Sequence, residues 1–412
     1  MEADNMNTNK AKIYIINGSD FGSTGSISWS IINYGYKNGN INFRFYVSNK
    51  KSDNNISFTT KYTHGLYDKA NNLITKIDGS DGFRNKKSTK YIIDDIKKFN
   101  PDLIHLHTLH GYYINLPMLL NYANEHNIPI VWTLHDNWLF TGRCAFIPCD
   151  CTELNKKCLH CHFKNKYPFS IFDFANKYYL KKEKLINSFE NICFVSPSIW
   201  NKNLGENSLL KNKRIEVINN GINLNIFKPT QSNLRQEFNI QDKFVILCAA
   251  YPWSNDKGLA IINQLASKLD ERFQIIMVGL TDDIQTNPKI LRHERISSPS
   301  ELAKYYSMAD VFLTPSVGDN FPTVDMESLA CGTTVISFDV GGTKEIVADN
   351  VGWVVKKGDI DALEKSIYEA YESPISKLTC CNYAKRFDRD IMCQKYLDLY
   401  NKMINETKNK QL

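Results

Sequence analysis

Two carboxylates at fixed spacing raise the chemical question. Asp319 and Glu327 bracket the stretch Asn320-Phe321-Pro322-Thr323-Val324-Asp325-Met326. Asp319 falls in a loop after the apolar run 311–314, and Glu327 falls inside an expected helix at 323–330. Pro322 suits the first turn of that helix. The turn built from Asn320, Phe321, Pro322 and Thr323 offers unpaired backbone N–H groups, which attract anions. Carboxylates accept hydrogen bonds from vicinal hydroxyls. A sugar nucleotide answers both halves of this description, with hydroxyls for the acids and a diphosphate for the amides. A second cue is Lys257-Gly258, which follows the apolar run 244–249 and opens another helix. An ammonium at such a position neutralises a diphosphate.

The other chemistry-bearing residues lie in the first half. Gly22-Ser23-Thr24-Gly25 reads as a glycine loop between a strand and a helix, and its spacing is not that of a dinucleotide fingerprint. Histidines gather at His105, His107 and His110 and again at His135-Asp136. Alternation along a strand puts His105 and His107 on one face. Such histidines serve either as satisfied structural groups or as part of a site. A cysteine window holds Cys144, Cys149, Cys151, Cys158 and Cys161, with His160 and His162 interleaved. Cys158-x-x-Cys161 has the spacing of half a zinc knuckle. With Cys144 and either Cys149 or Cys151 it would complete a tetrahedral structural zinc; the set Cys144, Cys151, Cys158, Cys161 is the expectation. Free thiols packed in the loop, or a disulfide, are the other readings. A closed four-thiolate site has no open position, so it is not expected to be catalytic. The stretch 156–184 mixes lysines with aromatic residues, as a peripheral membrane contact does and as a solvated helix with an apolar inner face also does.

These residues need rigid elements behind them. Short β-branched runs at 12–17, 43–47, 103–107, 130–134, 192–195 and 215–218 read as strands. Helical stretches fall at 26–38, 90–99, 115–126 and 171–188. Turn signals mark a boundary at 214–229, in Asn219-Asn220-Gly221 and Lys228-Pro229. The alternation then restarts. Strands are expected at 244–249, 273–278, 311–314, 333–338 and 352–355, and helices at 258–269, 300–308 and 323–330, with a helical tail from 361 broken at Pro374. The fold class is α/β: two Rossmann-like doubly wound domains facing across a cleft, with ligands at the carboxyl ends of the strands.

Composition agrees and excludes alternatives. The 412 residues exceed one ordinary core. A hydrophobic share of 42% and a charged share of 23% are those of a soluble globular protein. The net charge of +6 suits anionic ligands and does not call for nucleic acid. No run is long and apolar enough to span a membrane, and the polar first ten residues read as a loose tail lacking a signal-peptide core. A cytoplasmic protein is therefore expected. The 11 cysteines, without an export signal, argue against a disulfide framework.

The motif from Asp319 to Glu327, followed by Ser328-Leu-Ala-Cys-Gly-Thr-Thr-Val-Ile336, resembles the signature of the retaining family 4 glycosyltransferases of GT-B fold. Phe338-Asp-Val-Gly-Gly-Thr-Lys-Glu-Ile346 is similar to the family's next glycine turn, and the stretch from Trp132 to Cys161 resembles bacterial capsule, exopolysaccharide and O-antigen members. The resemblance spans nearly the whole chain from residue 11. It implies an acceptor-binding domain at 11–218, joined by a last helix at about 388–403, and a nucleotide-sugar-binding domain at 229–380. It places Asp319 on the donor sugar, Glu327 on the ribose, Lys257 on the diphosphate, Gly22 to Gly25 facing the donor phosphates, and His135 at the mouth of the cleft. Its chemistry is front-face transfer with retention to a saccharide or lipid-linked acceptor, without a catalytic metal. Two departures stand out. The family usually has Glu where this chain has Asp319, and an Arg where it has Pro252. They leave room for an inactive sugar-nucleotide-binding partner; a non-transferring enzyme of the same fold, such as a 2-epimerase, is the other alternative.

Overall fold

The structure, a computed structural model, describes residues 10–39, 41–49, 59–60, 65–147, 151–165 and 167–410. Most of the polar tail expected at 1–10, together with Cys149 and Lys166, lies outside the described residues. The chain forms two compact units: residues 1–197, 201–218 and 393–412 make the first, and residues 198–200 and 219–392 the second.

The first unit is built on a parallel sheet of β1 (Ala11–Ser19), β2 (Ile41–Asn49), β3 (Thr59–Thr60), β4 (Leu103–Leu106), β5 (Ile130–Thr133), β6 (Ile192–Ser196) and β7 (Arg214–Val217). Its strand order is β3-β2-β1-β4-β5-β6-β7, a doubly wound arrangement. The central strands are buried on both faces, which is why they read as unbroken apolar runs. Helices α1 (Gly22–Asn38), α2 (Leu66–Asp78), α3 (Lys86–Phe99), α4 (Leu116–Glu125), α5 (Ala175–Asn187) and α6 (Ile199–Glu206) connect the strands.

Two helix starts differ from the sequence expectation. Gly22 to Gly25 is the first turn of α1 and not a loop before it. Gly22 takes φ 71°, open to glycine, and the chain enters the helix directly from β1. Gly25 packs so tightly on the Asp20 backbone that an added Cβ would lie 2.4 Å from its carbonyl carbon. Helix α5 starts at Ala175 and not at residue 171. The N–H groups of Ile171 and Phe172 donate instead to the carbonyls of Lys76 and Ile77 at the end of α2, and Asp173 accepts from the N–H of Ala175.

The second unit carries α7 (Leu234–Glu237), β8 (Phe244–Ala249), α8 (Leu259–Lys268), β9 (Phe273–Val278), β10 (Leu291–His293), α9 (Pro299–Met308), β11 (Val311–Thr314), α10 (Thr323–Ala330), β12 (Thr334–Phe338), α11 (Thr343–Ile346), β13 (Gly352–Val355), α12 (Ile360–Glu372), α13 (Lys377–Ala384) and α14 (Arg389–Asn409). The parallel order is β10-β9-β8-β11-β12-β13. From Cys393 onward α14 belongs to the first unit. There Tyr400 Oη lies 2.6 Å from His105 Nδ1, and Tyr396 Oη lies 2.9 Å from Thr133 Oγ1. Among the described residues no helix is long and apolar enough to cross a membrane.

Candidate active site

In the second unit the carboxyl ends of β8 and β11, which pair in register, bring Lys257 and Asp319 together. Lys257 closes the short turn Asn255–Lys257, and Gly258 then turns at φ 83° into α8. A Cβ on Gly258 would lie 2.5 Å from the Pro315 carbonyl oxygen, so the glycine is what lets this turn sit on the β11 loop. The N–H of Val317 donates to the Asp256 carbonyl at 3.0 Å and ties the two loops. Lys257 Nζ then donates to Asp319 Oδ2 at 2.8 Å. Burial works against the lysine charge, but Asp319, Asp325 and Asp256 outweigh it and hold the ammonium above its usual pKa.

The loop carrying Asp319 is held from the other side by the glycine turn after β12. Gly341 has φ 56°, and a Cβ there would lie 1.5 Å from the Asp319 carbonyl oxygen. The N–H of Gly342 donates to the Asn320 carbonyl at 2.9 Å. Gly341→Ala is therefore expected to cost about 2–3 kcal/mol, combining a left-handed alanine with a displaced loop. The check is thermal unfolding together with ligand affinity; an unchanged melting temperature would show that the loop has room to yield.

Glu327 lies on α10 and accepts from Tyr306 Oη at 3.1 Å. Burial raises its pKa to about 7, against the bonds from Tyr306 and Thr323. Thr323 opens α10 and bonds Glu327, Pro322 is its N-cap, and the Asn320 side chain is buried. The side chain of Phe321 belongs to the core, whereas the expectation at this residue concerned its backbone N–H. It is 4% exposed and meets Phe387 edge-on at 6.2 Å, so it anchors the loop from beneath.

Sequence reasoning passed over Asp325. It is fully buried, Thr314 Oγ1 donates to its Oδ1 at 2.8 Å, and Oδ2 has no hydrogen-bond partner. Burial, with Asp319 and Glu327 nearby, raises its pKa to about 7 against the pull of Thr314 and Lys257. Its signal was visible: a third acid inside the same motif. Arg295 was also missed. Its guanidinium stacks at 4.4 Å over Tyr251, the residue before Pro252.

In the first unit β4 and β5 run parallel, with His105 opposite Val131, so the loops that follow them are neighbours. His107 Nδ1 lies 2.8 Å from His135 Nε2 and the rings stack. Burial lowers the His135 pKa to about 4, so this imidazole is neutral at physiological pH. His105 is a satisfied structural histidine, spanning Tyr400 Oη and Thr133 Oγ1. His110, gathered with His105 and His107 in the sequence, was given no role of its own there. It meets Asp136 Oδ2 at 2.7 Å and Tyr167 Oη at 2.9 Å. Burial lowers its pKa, but Asp136 and Asp81 overcome this and raise it. Asp81 accepts the N–H groups of Gly111 and Tyr112, fixing the loop that carries His110. At the start of α1, Gly22 and Ser23 are exposed, the N-cap Phe21 supplies no side-chain cap, and no acid occupies the first turn.

The expected zinc set of Cys144, Cys151, Cys158 and Cys161 falls among the described residues. Among the described residues no group of three or more His, Cys, Asp or Glu side chains has the arrangement to hold a metal ion. Cys144 hydrogen-bonds Cys161, and Cys158 accepts the N–H of Gly142 at 3.3 Å, so these sulfurs have local partners. Left-handed turns at Lys157 and Cys158 set the direction of that thiol. The Cys144 bond, helped by the Phe163 N–H and Arg143, lowers the Cys161 pKa despite burial.

Known proteins resemble the chain in both halves. The family described as "Glycosyl transferases group 1" matches residues 230–387, and "Glycosyltransferase Family 4" matches residues 78–226. WcaC of Escherichia coli (strain K12), named for glycosyl transfer in colanic acid biosynthesis, is 23% identical over 370 residues, covering 85% of this chain and 88% of its own. The N,N'-diacetylbacillosaminyl-diphospho-undecaprenol alpha-1,3-N-acetylgalactosaminyltransferase of Campylobacter jejuni is 28% identical over 224 residues, 49% of this chain and 57% of its own. Among solved structures, HepE of Anabaena in complex with UDP-glucose matches with a TM-score of 0.63 at 15% identity, over 97% of this chain and 99% of that one.

Proposed function

This chain belongs to the family 4 glycosyltransferases of GT-B fold, and from that premise we propose that it transfers one sugar from a nucleoside diphosphate sugar, with retention, to a hydroxyl of a lipid-linked saccharide in the building of a bacterial surface polysaccharide. The observation that carries the donor assignment is the Lys257–Asp319 contact at 2.8 Å beside Glu327. Lys257 and the amides opening α10 take the diphosphate, Asp319 the sugar hydroxyls, and Glu327 the ribose. The relatives support the acceptor and the pathway: one is named for colanic acid and another for a diphospho-undecaprenol substrate.

The partners of the acids argue against a double displacement through a covalent glycosyl-enzyme. Asp319 is paired with Lys257, Glu327 is bonded to Tyr306, and Asp325 is enclosed. None is poised as a nucleophile. In a front-face transfer the acceptor oxygen bonds to the anomeric carbon as the bond to the diphosphate breaks. The acceptor proton passes to a departing phosphate oxygen. The protein supplies positioning and charge stabilisation. In the first unit, neutral His135 donates or accepts at sugar hydroxyls, and the open first turn of α1 at Gly22, Ser23, Thr24 and Gly25 suits phosphate.

The test is a panel of nucleoside diphosphate sugars screened by thermal shift, since a ligand of the native state raises apparent stability. The best donor is then incubated with a polyprenyl-diphosphate saccharide and the new linkage read by NMR. A shift with one donor and a product of unchanged anomeric configuration are expected. An inverted product rejects retention. Conversion of the donor alone to its epimer would favour the 2-epimerase reading.

A further inference from the structure

The bond between His107 and His135 has a direction, and the direction decides what His135 can do. Both rings are neutral at physiological pH. Burial lowers the His135 pKa to about 4, and burial, with His105 and His135 adding to it, holds His107 well below its ordinary value. A neutral imidazole carries one N–H and one lone pair. The partner of one nitrogen settles which of the two keeps the proton. The 2.8 Å bond between His107 Nδ1 and His135 Nε2 uses a single proton, carried by one ring or the other.

The surroundings of His107 select between the two. Its backbone is pinned: the N–H donates to the Ile16 carbonyl at 2.9 Å, and the carbonyl accepts from Trp132 Nε1 at 3.1 Å. The residue is 1% exposed, and among the described residues its Nε2 has no hydrogen-bond partner. The neighbouring ring of His105, 4.0 Å away between centroids, has both nitrogens engaged with Tyr400 and Thr133. With the proton on Nε2, His107 would bury an N–H that has no acceptor. With the proton on Nδ1, only a lone pair is left bare, and an orphaned buried N–H is the rarer of these two defects. The shared proton therefore belongs to His107 Nδ1, and His135 Nε2 accepts it.

We propose that His107 is a positioning residue that locks His135 in its Nδ1–H tautomer and so makes His135 a hydrogen-bond donor that cannot act as a base. One nitrogen of His135 is held by the His107 N–H, and the other already carries a proton. What His135 offers suits an oxygen lone pair. For its part in the reaction the proposal rests on the transferase reading, and it deepens that reading. With His135 closed to protons, the proton of the acceptor hydroxyl is left to the departing phosphate oxygen.

The experiment is long-range proton–nitrogen correlation NMR of the full chain labelled at histidine, near neutral pH, with the His135 signals assigned by comparison with His135→Gln. His135 protonated at Nδ1 and bare at Nε2 is expected. His107→Phe keeps a stacking ring and removes the N–H. It is expected to release His135 into the Nε2–H form and to lower kcat by up to roughly a hundredfold, with a smaller change in donor KM. His107→Asn returns an N–H at the place of Nδ1 and is expected to restore both the tautomer and most of the rate. A wild-type His135 protonated at Nε2 overturns the proposal, and that spectrum needs no variant to fold. So does a His107→Phe protein with an unchanged His135 tautomer, or with a rate within about threefold of wild type. A wild-type protein with the expected tautomer that transfers no sugar from any donor would instead reject the transferase reading and leave the His107–His135 assignment standing.

Discussion

Lys257→Ala is expected to lower kcat by about a hundredfold to a thousandfold, the cost of removing one preorganised donor from the place where transition-state charge develops. The substitution takes away the ammonium assigned to the departing diphosphate, and it releases Asp319 from its 2.8 Å contact. Protein stability is expected to change little. The lysine side chain is 39% exposed, and such pairs contribute about 0–1 kcal/mol. The effect should therefore appear in turnover and leave the fold alone. KM for the donor should rise less than kcat falls, because the charge matters most as the leaving bond breaks. Lys257→Arg keeps the charge on a longer, planar group and should recover part of the rate. Initial rates with saturating acceptor decide the matter. A variant within threefold of wild type removes Lys257 from the donor site.

The second large effect concerns Asp325. Its pKa, raised from 3.8 to about 7, means that the folded state binds a proton more tightly than the unfolded chain. The stability this brings is fully present below about pH 4 and is lost as pH rises to about 7. The difference amounts to about 4 kcal/mol. Asp325→Asn keeps an oxygen for the Thr314 hydroxyl and cannot ionise. Wild type and variant should melt together below pH 4, diverge as pH rises, and run parallel above pH 7. At pH 8 the variant should then melt higher by on the order of 10 °C for a unit of this size. Melting curves at intervals of pH test it directly. A constant offset from pH 4 to pH 8 would mean that Asp325 ionises as freely in the fold as outside it.

Much of the second unit was legible in the sequence, for a physical reason. Strands β8, β9, β11 and β13 and helix α10 lie where the residue pattern put them. Parallel strands covered on both faces must be apolar throughout, and Gly or Pro punctuates their ends. The acid-to-acid motif was legible too, because its geometry is local to one loop and one helix. What escaped was set by contacts between distant segments. His110 and Asp136 meet only through the register of β4 and β5. The placement of the Phe321 side chain escaped too, because the loop turns it into the core. Cysteine spacing gives the distance along the chain but not the direction of each thiol, and so the Cys144–Cys161 contact and the Gly142 amide on Cys158 could not be read from it. Helix α2 escaped because its apolar stripe faces outward, where a pattern read for a core does not lead.

The two tyrosines of α14 have a consequence for how the protein is made. Strands β4 and β5 of the first unit bury His105 and Thr133, whose partners Tyr400 and Tyr396 come from residues translated after the whole second unit. Nascent domains generally fold in the order they leave the ribosome. Here that order is reversed for completion. Residues 219–392 can close on themselves while the earlier-made sheet still waits for its last helix, with buried polar groups unsatisfied. A chain cut short by premature termination would carry a finished second unit and an unfinished first one, which marks it for proteolysis rather than for release as a half-active enzyme.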